Sequence, residues 1–346
     1  MNNNKFNKLN SVNNPKSIHG IFPYRGKISP IDVNNILHKF GVKNKRVLDP
    51  FCGTGTILIE ASKMNNKTIG IDVNPIAFLL SQAKIKIQNF KKELKNFKNI
   101  KEKVKKNSNI LNIPTSVKDN FHIKTAREIM SYSFFFNKMS SYLKGCFMGA
   151  IALSARGWNH YVWTSNIVGK KIKPFRYINF EKTFFNKIKK HYYRSNKNIK
   201  VFNIDARHLA KTIKKDSIDV VITSPPYFNA LDYTSYHNRF VIDILKLNKT
   251  KIKMNLIQNI KSYKEDMIQV FNQLKLVTKK KSKIIFIVGD KKEKDGKINK
   301  GSNFFTSIAP FKKYRIIERK YTNTSSQVID KINKTSRKEQ IIIWEK

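Results

Sequence analysis

The stretch TSPPYFNALDY at 223–233 combines residue types suited to holding a flat ligand. It follows the apolar run IDVVI, which has the composition of a buried strand. Pro225 and Pro226 have no backbone N–H to donate, so they end that strand and stiffen the loop that follows. A rigid loop that carries the hydroxyl of Ser224 and the ring of Tyr227 predicts a binding site for a planar group.

A second candidate site lies in VLDPFCGTGTILIEA at 47–61. A predicted strand ends at Asp49, and an apolar helical run begins near Thr56. Gly53 and Gly55 lie between them and allow a ligand to approach the backbone closely, while the free N–H groups at the helix start favour a carboxylate or a phosphate. The spacing differs from G-x-G-x-x-G, which disfavours a nicotinamide or flavin cofactor.

Two aspartates follow other predicted strands. Asp72, in IGIDVNP, can accept hydrogen bonds from both hydroxyls of a ribose, or it can cap the helix that begins at Pro75. Its position shortly after the glycine loop favours the ribose interpretation. Asp205, in NIDARHL, can accept from an adenine amino group or cap the turn that follows. Both residues therefore predict a nucleoside-binding edge of the sheet.

These motifs belong to a series of short apolar runs that alternate with segments of helical period. The alternation predicts an α/β domain built on a parallel sheet with crossover helices. Two further runs, at 314–317 and 340–345, predict a hairpin on one edge. The runs assigned to the parallel strands are RVLDP at 46–50, TIGID at 68–72, IKVFNID at 199–205, IDVVITS at 218–224 and KIIFIVGD at 283–290.

The connection from Asp72 to Asp205 is 133 positions long, which is far more than one crossover helix requires. Its sequence contains several segments of helical period. We therefore predict an inserted, mainly helical region at 90–195, between two parts of one catalytic domain, 1–89 and 196–346.

The motifs DPFCGTGT, GIDVNP and TSPPY, in this order on successive strands, resemble those of the S-adenosylmethionine-dependent DNA amino-methyltransferases of the N4-cytosine and N6-adenine types. The resemblance covers about 18–88 and 199–346. It implies a Rossmann-like class I methyltransferase fold, with a mostly parallel seven-stranded sheet and helices on both faces. It also implies S-adenosyl-L-methionine as the cofactor, bound by Asp49, Pro50, Phe51, Gly53, Gly55, Thr56, Asp72 and Asp205.

Upstream, IHGIFPYRGKISPIDVNNIL at 18–37 resembles the segment that precedes the glycine loop in the same enzymes. That resemblance places Pro23, Tyr24 and Lys27 near the methionine part of the cofactor. The alternative is a flexible chain that leads into a helix capped at Ser29 and Pro30.

The resemblance also gives the opening loop a role. In this family the amino group of a base, flipped out of its helix, takes the methyl group. The hydroxyl of Ser224 and the carbonyl of Pro225 would accept its protons, Pro226 would keep the loop rigid, and Tyr227 would stack on the base. The floor of the pocket would be shaped by Asn229, Asp232 and Tyr233. Asp232 can instead act as a helix cap.

The serine that begins the Ser-Pro-Pro-Tyr motif, Ser224, is typical of N4-cytosine enzymes. An adenine target remains a near alternative. The glycine loop also resembles that of RNA guanine-N2 methyltransferases, but Phe228 stands where their fourth motif has glycine. A third possibility is a basic nucleic-acid-binding protein with a silent cofactor fold, which the intact motifs disfavour. Cytosine C5 chemistry needs a cysteine after a proline, and neither Cys52 nor Cys146 satisfies this.

A formal net charge of +46 predicts a polyanionic partner, here double-stranded DNA, and the resemblance admits a cognate restriction endonuclease as a further partner. Lysines outnumber arginines by 58 to 11, so a general coding bias can also account for much of the charge. Within the inserted region, the basic segment at 90–106 and the aromatics Trp158, Tyr161 and Trp163 predict target recognition, although the aromatics can equally form a local core.

Two cysteines are too few for a disulfide framework, and the sequence contains no metal-ligand spacing, so no metal is expected. No apolar run approaches the length of a membrane span, and the Asn- and Lys-rich start lacks the apolar stretch of a signal peptide. These features predict a cytoplasmic protein with free thiols and no membrane partner.

Overall fold

The computed structural model describes residues 17–24, 26–107, 112–155, 176–194, 198–226, 232–292, 298–321 and 337–346. Tyr227, Asn229 and the aromatics Trp158, Tyr161 and Trp163 lie outside these ranges. Within the described part of the chain, no helix is both long and apolar enough to cross a membrane.

A seven-stranded sheet organises the chain. Its order is β3-β2-β1-β4-β5-β9-β8, with parallel pairing from β3 through β5 and antiparallel pairing of β9 with both β5 and β8. This arrangement confirms the mostly parallel, Rossmann-like class I methyltransferase fold predicted from the sequence. The strands are β1 Arg46–Asp49, β2 Lys67–Ile71, β3 Ile199–Phe202, β4 Ile218–Thr223, β5 Thr278–Gly289, β8 Lys312–Tyr321 and β9 Arg337–Glu345, and a separate ribbon contains β6 Lys291–Lys292 and β7 Ile298–Asn299.

Helices cover both faces of this sheet and form a further layer beside it. Several begin at a residue that the sequence marks as a cap, such as Ser29 before Pro30 and Asn74 before Pro75. The helices are α1 Pro30–Lys39, α2 Thr56–Ser62, α3 Pro75–Ile85, α4 Phe90–Lys106, α5 Thr115–Lys118, α6 Ile123–Ser133, α7 Ser141–Ser154, α8 Phe180–His191, α9 His237–Ile244, α10 Lys249–Asn255, α11 Tyr263–Val277 and α12 Gly301–Ile308.

The strands are apolar on both faces because each face is covered by helices. Val220 and Ile222 of β4 pack with α1 and α2 on one face. Val221, between them, packs on the other face with α11 and α12. Alternating side chains thus enter two different hydrophobic clusters, and this explains why the strands read as continuous apolar runs.

The helices of the predicted insertion, α4 to α8, share one hydrophobic cluster with α3 and with the segment that precedes α1. Two glycines of α7 allow the closest contacts. A Cβ at Gly145 would come within 2.4 Å of Ala83, and one at Gly149 within 1.9 Å of the carbonyl oxygen of Ile21. The inserted helices therefore pack directly against the catalytic fold through small residues.

Two buried positions in β2, Gly70 and Thr68, test how the side chains around the sheet are packed. A Cβ at Gly70 would lie 2.4 Å from Leu58 and 2.9 Å from the sulfur of Cys52, so we expect Gly70→Ala to destabilise the protein by about 1–3 kcal/mol. Thr68, two residues earlier on β2, buries a hydroxyl with no hydrogen-bond partner among the described residues. We expect Thr68→Val to stabilise the protein by about 1 kcal/mol, because it removes that polar atom at nearly constant volume. Urea denaturation measures both changes, and a stabilised Gly70→Ala would contradict the packing described.

Candidate active site

The carboxyl ends of β1 and β4 are joined by one buried hydrogen bond. The hydroxyl of Thr223 donates to Oδ1 of Asp49 at 2.7 Å. The backbone N–H of Phe51 donates to the same oxygen at 3.1 Å. Because β1 and β4 are parallel neighbours, the loop after each strand begins at the same edge of the sheet. The glycine loop and the Ser-Pro-Pro-Tyr loop therefore start side by side.

The glycine loop has the conformation that its glycines suggest. Gly53 and Gly55 have φ angles of 50° and 74°, in the left-handed region that favours glycine. The N–H of Gly55 donates to the carbonyl of Cys52 at 2.7 Å, which closes the turn just before α2. The N–H of Cys52 donates to the carbonyl of Ile71 at 2.9 Å, which ties the loop to the end of β2.

Asp72 connects the glycine loop with the start of α3. One carboxylate oxygen accepts from the N–H of Gly53 at 2.8 Å, and the other accepts from the N–H of Asn74 at 2.9 Å. Asn74, rather than Asp72, is the helix cap, since its side chain accepts from the N–H of Ile76. Each oxygen of Asp72 has one backbone donor, so each retains a lone pair that can accept from a ligand hydroxyl.

Many of the predicted residues surround one open cleft of about 330 Å³, although Asp72 and Asp205 do not line it. Sequence reasoning placed seven residues there that do line it, namely Tyr24, Lys27, Asp49, Phe51, Gly53, Thr56 and Ser224. Cys52, which the sequence predicts to line the cofactor pocket without a chemical role, also lines it. Pro50 and Gly55 belong to the same loop but shape its backbone and do not line the cleft.

Burial perturbs the ionisable groups around this cleft. It raises the pKa of Asp49 to about 7, despite the hydrogen bonds from Thr223 and Phe51. It raises the pKa of Asp72 to about 6 and lowers that of Lys27 to about 8. Two carboxyls and one amine thus lie in surroundings that disfavour their charged forms. A ligand with complementary charges would stabilise those charged forms.

The Ser-Pro-Pro-Tyr loop is held by a residue that sequence reasoning missed. The hydroxyl of Tyr263, at the start of α11, donates to the carbonyl of Pro226 at 2.6 Å. Tyr263 is almost fully buried, so this contact anchors the loop against the helix that covers β4. Ser224 lines the cleft, and Pro225 separates it from the anchored Pro226.

The predicted substrate residues Asp232 and Tyr233 line a neighbouring cleft of about 250 Å³, together with Pro23. The ring of Tyr233 stacks on Tyr24, with ring centroids 6.3 Å apart and planes at 23°. Asp232 accepts from the N–H and the hydroxyl of Thr234, at 2.8 and 2.6 Å, and caps a turn before α9. Tyr233 therefore lies between the two clefts.

Asp205 is engaged within the chain. Its carboxylate accepts from the backbone N–H of Arg207 at 2.8 Å and forms an ion pair with the guanidinium at 2.5 Å. The same guanidinium reaches Asp266 at 2.7 Å. The capping alternative therefore describes the contacts of Asp205 in this structure.

Two other contacts at the site have weak sequence signals. Thr223 reads as the last residue of a strand, although its hydroxyl binds Asp49. Lys84 reads as a surface helix residue, yet it is buried and donates to the hydroxyl of Thr54 in the glycine loop at 2.9 Å. The period of α3, which places Ala77, Leu80 and Lys84 on one face, is the signal that indicates burial.

Similarity to known proteins agrees with this geometry. A family model described as UPF0020, RMKL-like, methyltransferase domain, matches residues 37–130. Type II methyltransferase M.MjaII of Methanocaldococcus jannaschii is 34% identical over 105 residues, which are 30% of this chain and 20% of that protein. Type II methyltransferase M.AvaI of Nostoc sp. is 24% identical over 257 residues, which are 64% of this chain and 53% of that protein. These similarities support an S-adenosylmethionine-dependent amino-methyltransferase family.

Other similarities are shorter or more distant. A tRNA (guanine(10)-N2)-dimethyltransferase of Methanothermobacter thermautotrophicus is 46% identical over 54 residues, which are 15% of this chain and 16% of that protein. TrmN from Thermus thermophilus superimposes with a TM-score of 0.36 at 11% identity, over 93% of this chain and 50% of that one. The chain spans about half of M.AvaI and a smaller share of the other curated relatives named here.

The residues of the cleft fit S-adenosylmethionine, the cofactor of this family. The cofactor has a positive sulfonium and an amino group, which match the buried carboxyl of Asp49 in charge. Its carboxylate matches Lys27, and its ribose hydroxyls match the remaining lone pairs of Asp72. Gly53 has no side chain to narrow the cleft, since a Cβ there would come within 3.9 Å of the ring of Tyr24.

The pKa of Asp49 leads to a prediction about stability. Folding raises the pKa of Asp49 from 3.8 to about 7, so ionisation of this carboxyl costs more free energy in the folded protein than in the unfolded chain. This destabilisation grows between pH 4 and pH 7 and is constant above pH 7. We expect Asp49→Asn to stabilise the protein without cofactor by about 2 kcal/mol at pH 8 and to have almost no effect near pH 4. Urea denaturation at the two pH values measures the difference.

Asp219→Asn serves as the control with the opposite sign. Burial raises the pKa of Asp219, but the bond from Lys279 and the N–H of Arg46 outweigh it, so the pKa lies below its ordinary value. The ionised carboxylate of Asp219 therefore stabilises the folded protein above pH 4, and this stabilisation is lost on acidification. We expect Asp219→Asn to cost about 0.5 kcal/mol at pH 8, since the ion pair is partly exposed. A stability gain from Asp49→Asn that is equal at pH 4 and pH 8 would contradict the assignment.

Proposed function

We propose that the protein is a site-specific DNA methyltransferase that transfers the methyl group of S-adenosylmethionine to N4 of a flipped cytosine. The observation that carries the proposal is the presence of Ser224 in the same cleft as Asp49 and Gly53. A hydroxyl acceptor from the end of β4 thus faces the site that fits the cofactor. The names of the relatives M.MjaII and M.AvaI, both Type II methyltransferases, support DNA as the substrate and restriction-modification as the setting.

The chemistry requires a better nucleophile than a free amino group of a base, whose lone pair is delocalised into the ring. The hydroxyl of Ser224 and the carbonyl of Pro225 would accept hydrogen bonds from the two amino N–H groups and direct that lone pair toward the methyl group, and the nitrogen would lose one of its protons to solvent as it takes the methyl group. Pro226, anchored by Tyr263, would keep both acceptors in place, and Tyr227 would stack on the base. Tyr233 and Asp232, with Asn229, would form the floor of the base pocket.

The cofactor would be held by the opposite wall of the same cleft. Asp72 would accept from the ribose hydroxyls, and Lys27 would bind the carboxylate. Asp49 would face the positive amino and sulfonium groups, while Tyr24 would pack against the methionine chain. When bound, the cofactor supplies an activated methyl group. The remaining task of the protein is positioning, which requires no further acid or base of high reactivity.

An RNA guanine-N2 activity is the second candidate. It is favoured by the 46% identity to a tRNA (guanine(10)-N2)-dimethyltransferase over 54 residues. The exocyclic amino group of guanine presents the same chemical problem, so the same two acceptors would serve it. Ser224 in place of the aspartate usual in those enzymes favours cytosine.

The inserted region is our candidate for target binding. Among the exposed residues of α4 are seven lysines, Lys106 at its last position and six before it, on a helix whose other face packs through Phe97 and Ile100. A row of ammonium groups at helical spacing suits contacts with the phosphates of a duplex. The six lysines before Lys106 are Lys91, Lys92, Lys95, Lys98, Lys103 and Lys105.

Mass spectrometry of nucleosides tests the reaction directly. The protein is incubated with labelled S-adenosylmethionine and, separately, with duplex DNA and transfer RNA, and each nucleic acid is then digested. We expect N4-methylcytosine in the DNA digest. Ser224→Ala should lower the rate by about 100-fold and leave cofactor affinity unchanged, because it removes one acceptor from the transition state. Ser307→Ala, an exposed serine of α12, is the matched control.

Other products would replace the proposal with a defined alternative. N2-methylguanine in the RNA digest would assign the protein to RNA, and N6-methyladenine in the DNA digest would change the target base. Stoichiometric cofactor binding with no methylated nucleoside of any kind would indicate a silent fold.

Substitution of the α4 lysines tests the role of the inserted region. We expect the triple variant Lys91→Gln, Lys95→Gln and Lys98→Gln to weaken DNA binding and to reduce its salt dependence by up to about three counterions. Lys43, Lys45 and Lys67 are the matched control, because they are equally exposed but lie near the amino ends of β1 and β2. Equal losses from the two triple variants, measured by fluorescence anisotropy over a salt series, would exclude a specific role for α4.

A further inference from the structure

The chain that leads into the cofactor cleft is held by buried cationic side chains. The N-terminal segment, residues 17–24, precedes Lys27 and ends at Tyr24, and both of these residues line the cleft. Lys27 donates to the carbonyls of His19 and Phe22, at 2.8 and 3.0 Å. The segment therefore determines where one wall of the cofactor site lies.

The other carbonyls of this segment are bound by α8, which belongs to the inserted region. The ammonium of Lys187 donates to the carbonyls of Gly20 and Ile21, at 3.1 and 3.0 Å. Nδ1 of His191 lies 2.7 Å from the carbonyl of Ser17, so this nitrogen carries the proton. Nε2 of His191 then accepts from Lys187 at 3.4 Å. The three N–H bonds of the lysine are thus all used.

The surroundings of Lys187 are unusual for a lysine. The residue is buried, and the three acceptors it contacts are neutral. Burial lowers the pKa of Lys187 to about 8 and that of His191 to about 4. A buried ammonium without a carboxylate contributes little net stability, whereas its directional hydrogen bonds define one position for the chain they bind.

Steric contacts restrict the same segment from a second side. Gly149 of α7 lies against the carbonyl of Ile21 so closely that a Cβ would come within 1.9 Å of the oxygen. A Cβ at Gly145, one turn earlier, would lie 3.0 Å from the side chain of Ile21. The segment therefore runs between a glycine face of α7 and the side chains of Lys187 and His191 on α8.

We infer that Lys187, with His191, is a positioning residue for S-adenosylmethionine, through which the inserted region holds the cofactor wall in its binding geometry. Neither side chain lines the cleft, so the effect acts through the N-terminal segment. The inference rests on the proposed cofactor roles of Tyr24 and Lys27. It makes the inserted region part of the cofactor site as well as the candidate target-binding region.

Isothermal titration of the full chain with S-adenosylmethionine, without nucleic acid, tests the inference. Lys187→Met preserves length and removes the donors, and we expect it to weaken cofactor binding about tenfold, the scale of a lost hydrogen bond to a charged group. Lys187→Arg can donate to both carbonyls and should bind within about threefold of the parent protein. His191→Phe retains a ring, removes the bond to Ser17 and should weaken binding about threefold.

Tyr142→Phe is the structural control. The buried hydroxyl of Tyr142 donates to the carbonyl of Ile188 at 2.7 Å, so its loss perturbs the packing of α7 on α8 without touching the N-terminal segment. We expect a lower melting temperature and an unchanged dissociation constant. If Tyr142→Phe and Lys187→Met weakened cofactor binding equally, general destabilisation would explain the effect and the inference would be overturned. Unchanged cofactor binding by Lys187→Met would also overturn it. If Lys187→Met does not fold, His191→Phe decides by the same criteria.

Lys27→Met separates this inference from the proposed function. Weak cofactor binding by Lys27→Met together with normal binding by Lys187→Met would retain Lys27 as a cofactor residue and reject the positioning role. Normal binding by Lys27→Met with weak binding by Lys187→Met would support positioning through Tyr24 and remove the role of Lys27. Because no methylation is measured, absence of a methylated product leaves these outcomes readable.

Discussion

The hydrogen bond between Thr223 and Asp49 is the contact on which the active site depends. It joins the last residues of β1 and β4, the neighbouring strands from which the glycine loop and the Ser-Pro-Pro-Tyr loop begin. Parallel pairing places these two ends at one edge of the sheet, and the hydrogen bond sets their separation. The residues that fit the cofactor and Ser224 of the proposed methyl-acceptor site therefore line one cleft.

The second constraint is the burial of charge. Asp49 and Asp72 have raised pKa values, and Lys27 has a lowered one, because all three lie in surroundings poor in water. Such groups weaken the fold when no ligand is bound, and a ligand that carries both cationic groups and a carboxylate would relieve them. Stability and cofactor affinity are thus opposed at the same residues, which is common at functional sites.

The inserted helices have a closer relation to the site than their place in the sequence indicates. They share a hydrophobic cluster with α3, and α7 and α8 contact the N-terminal segment directly. A region proposed to bind the target thus also contacts the wall proposed to bind the cofactor. The two proposed binding regions are thus connected by a contiguous set of packed side chains.

The sequence alone was sufficient for the parallel sheet, the cofactor family and most residues of the cleft, because these depend on local signals. A few neighbouring residues are enough to interpret glycines that need positive φ, prolines that end a strand and aspartates that follow apolar runs. The partners of Asp49 and Pro226 were decided by the tertiary structure, since Thr223 and Tyr263 come from other elements. Lys84 and Lys187 read as surface lysines, and only the packing of α3, α7 and α8 buries them. The period of α3 indicates that Lys84 faces the core, but the partners of both lysines leave no local pattern, because Thr54, Gly20 and Ile21 are distant from them in the sequence.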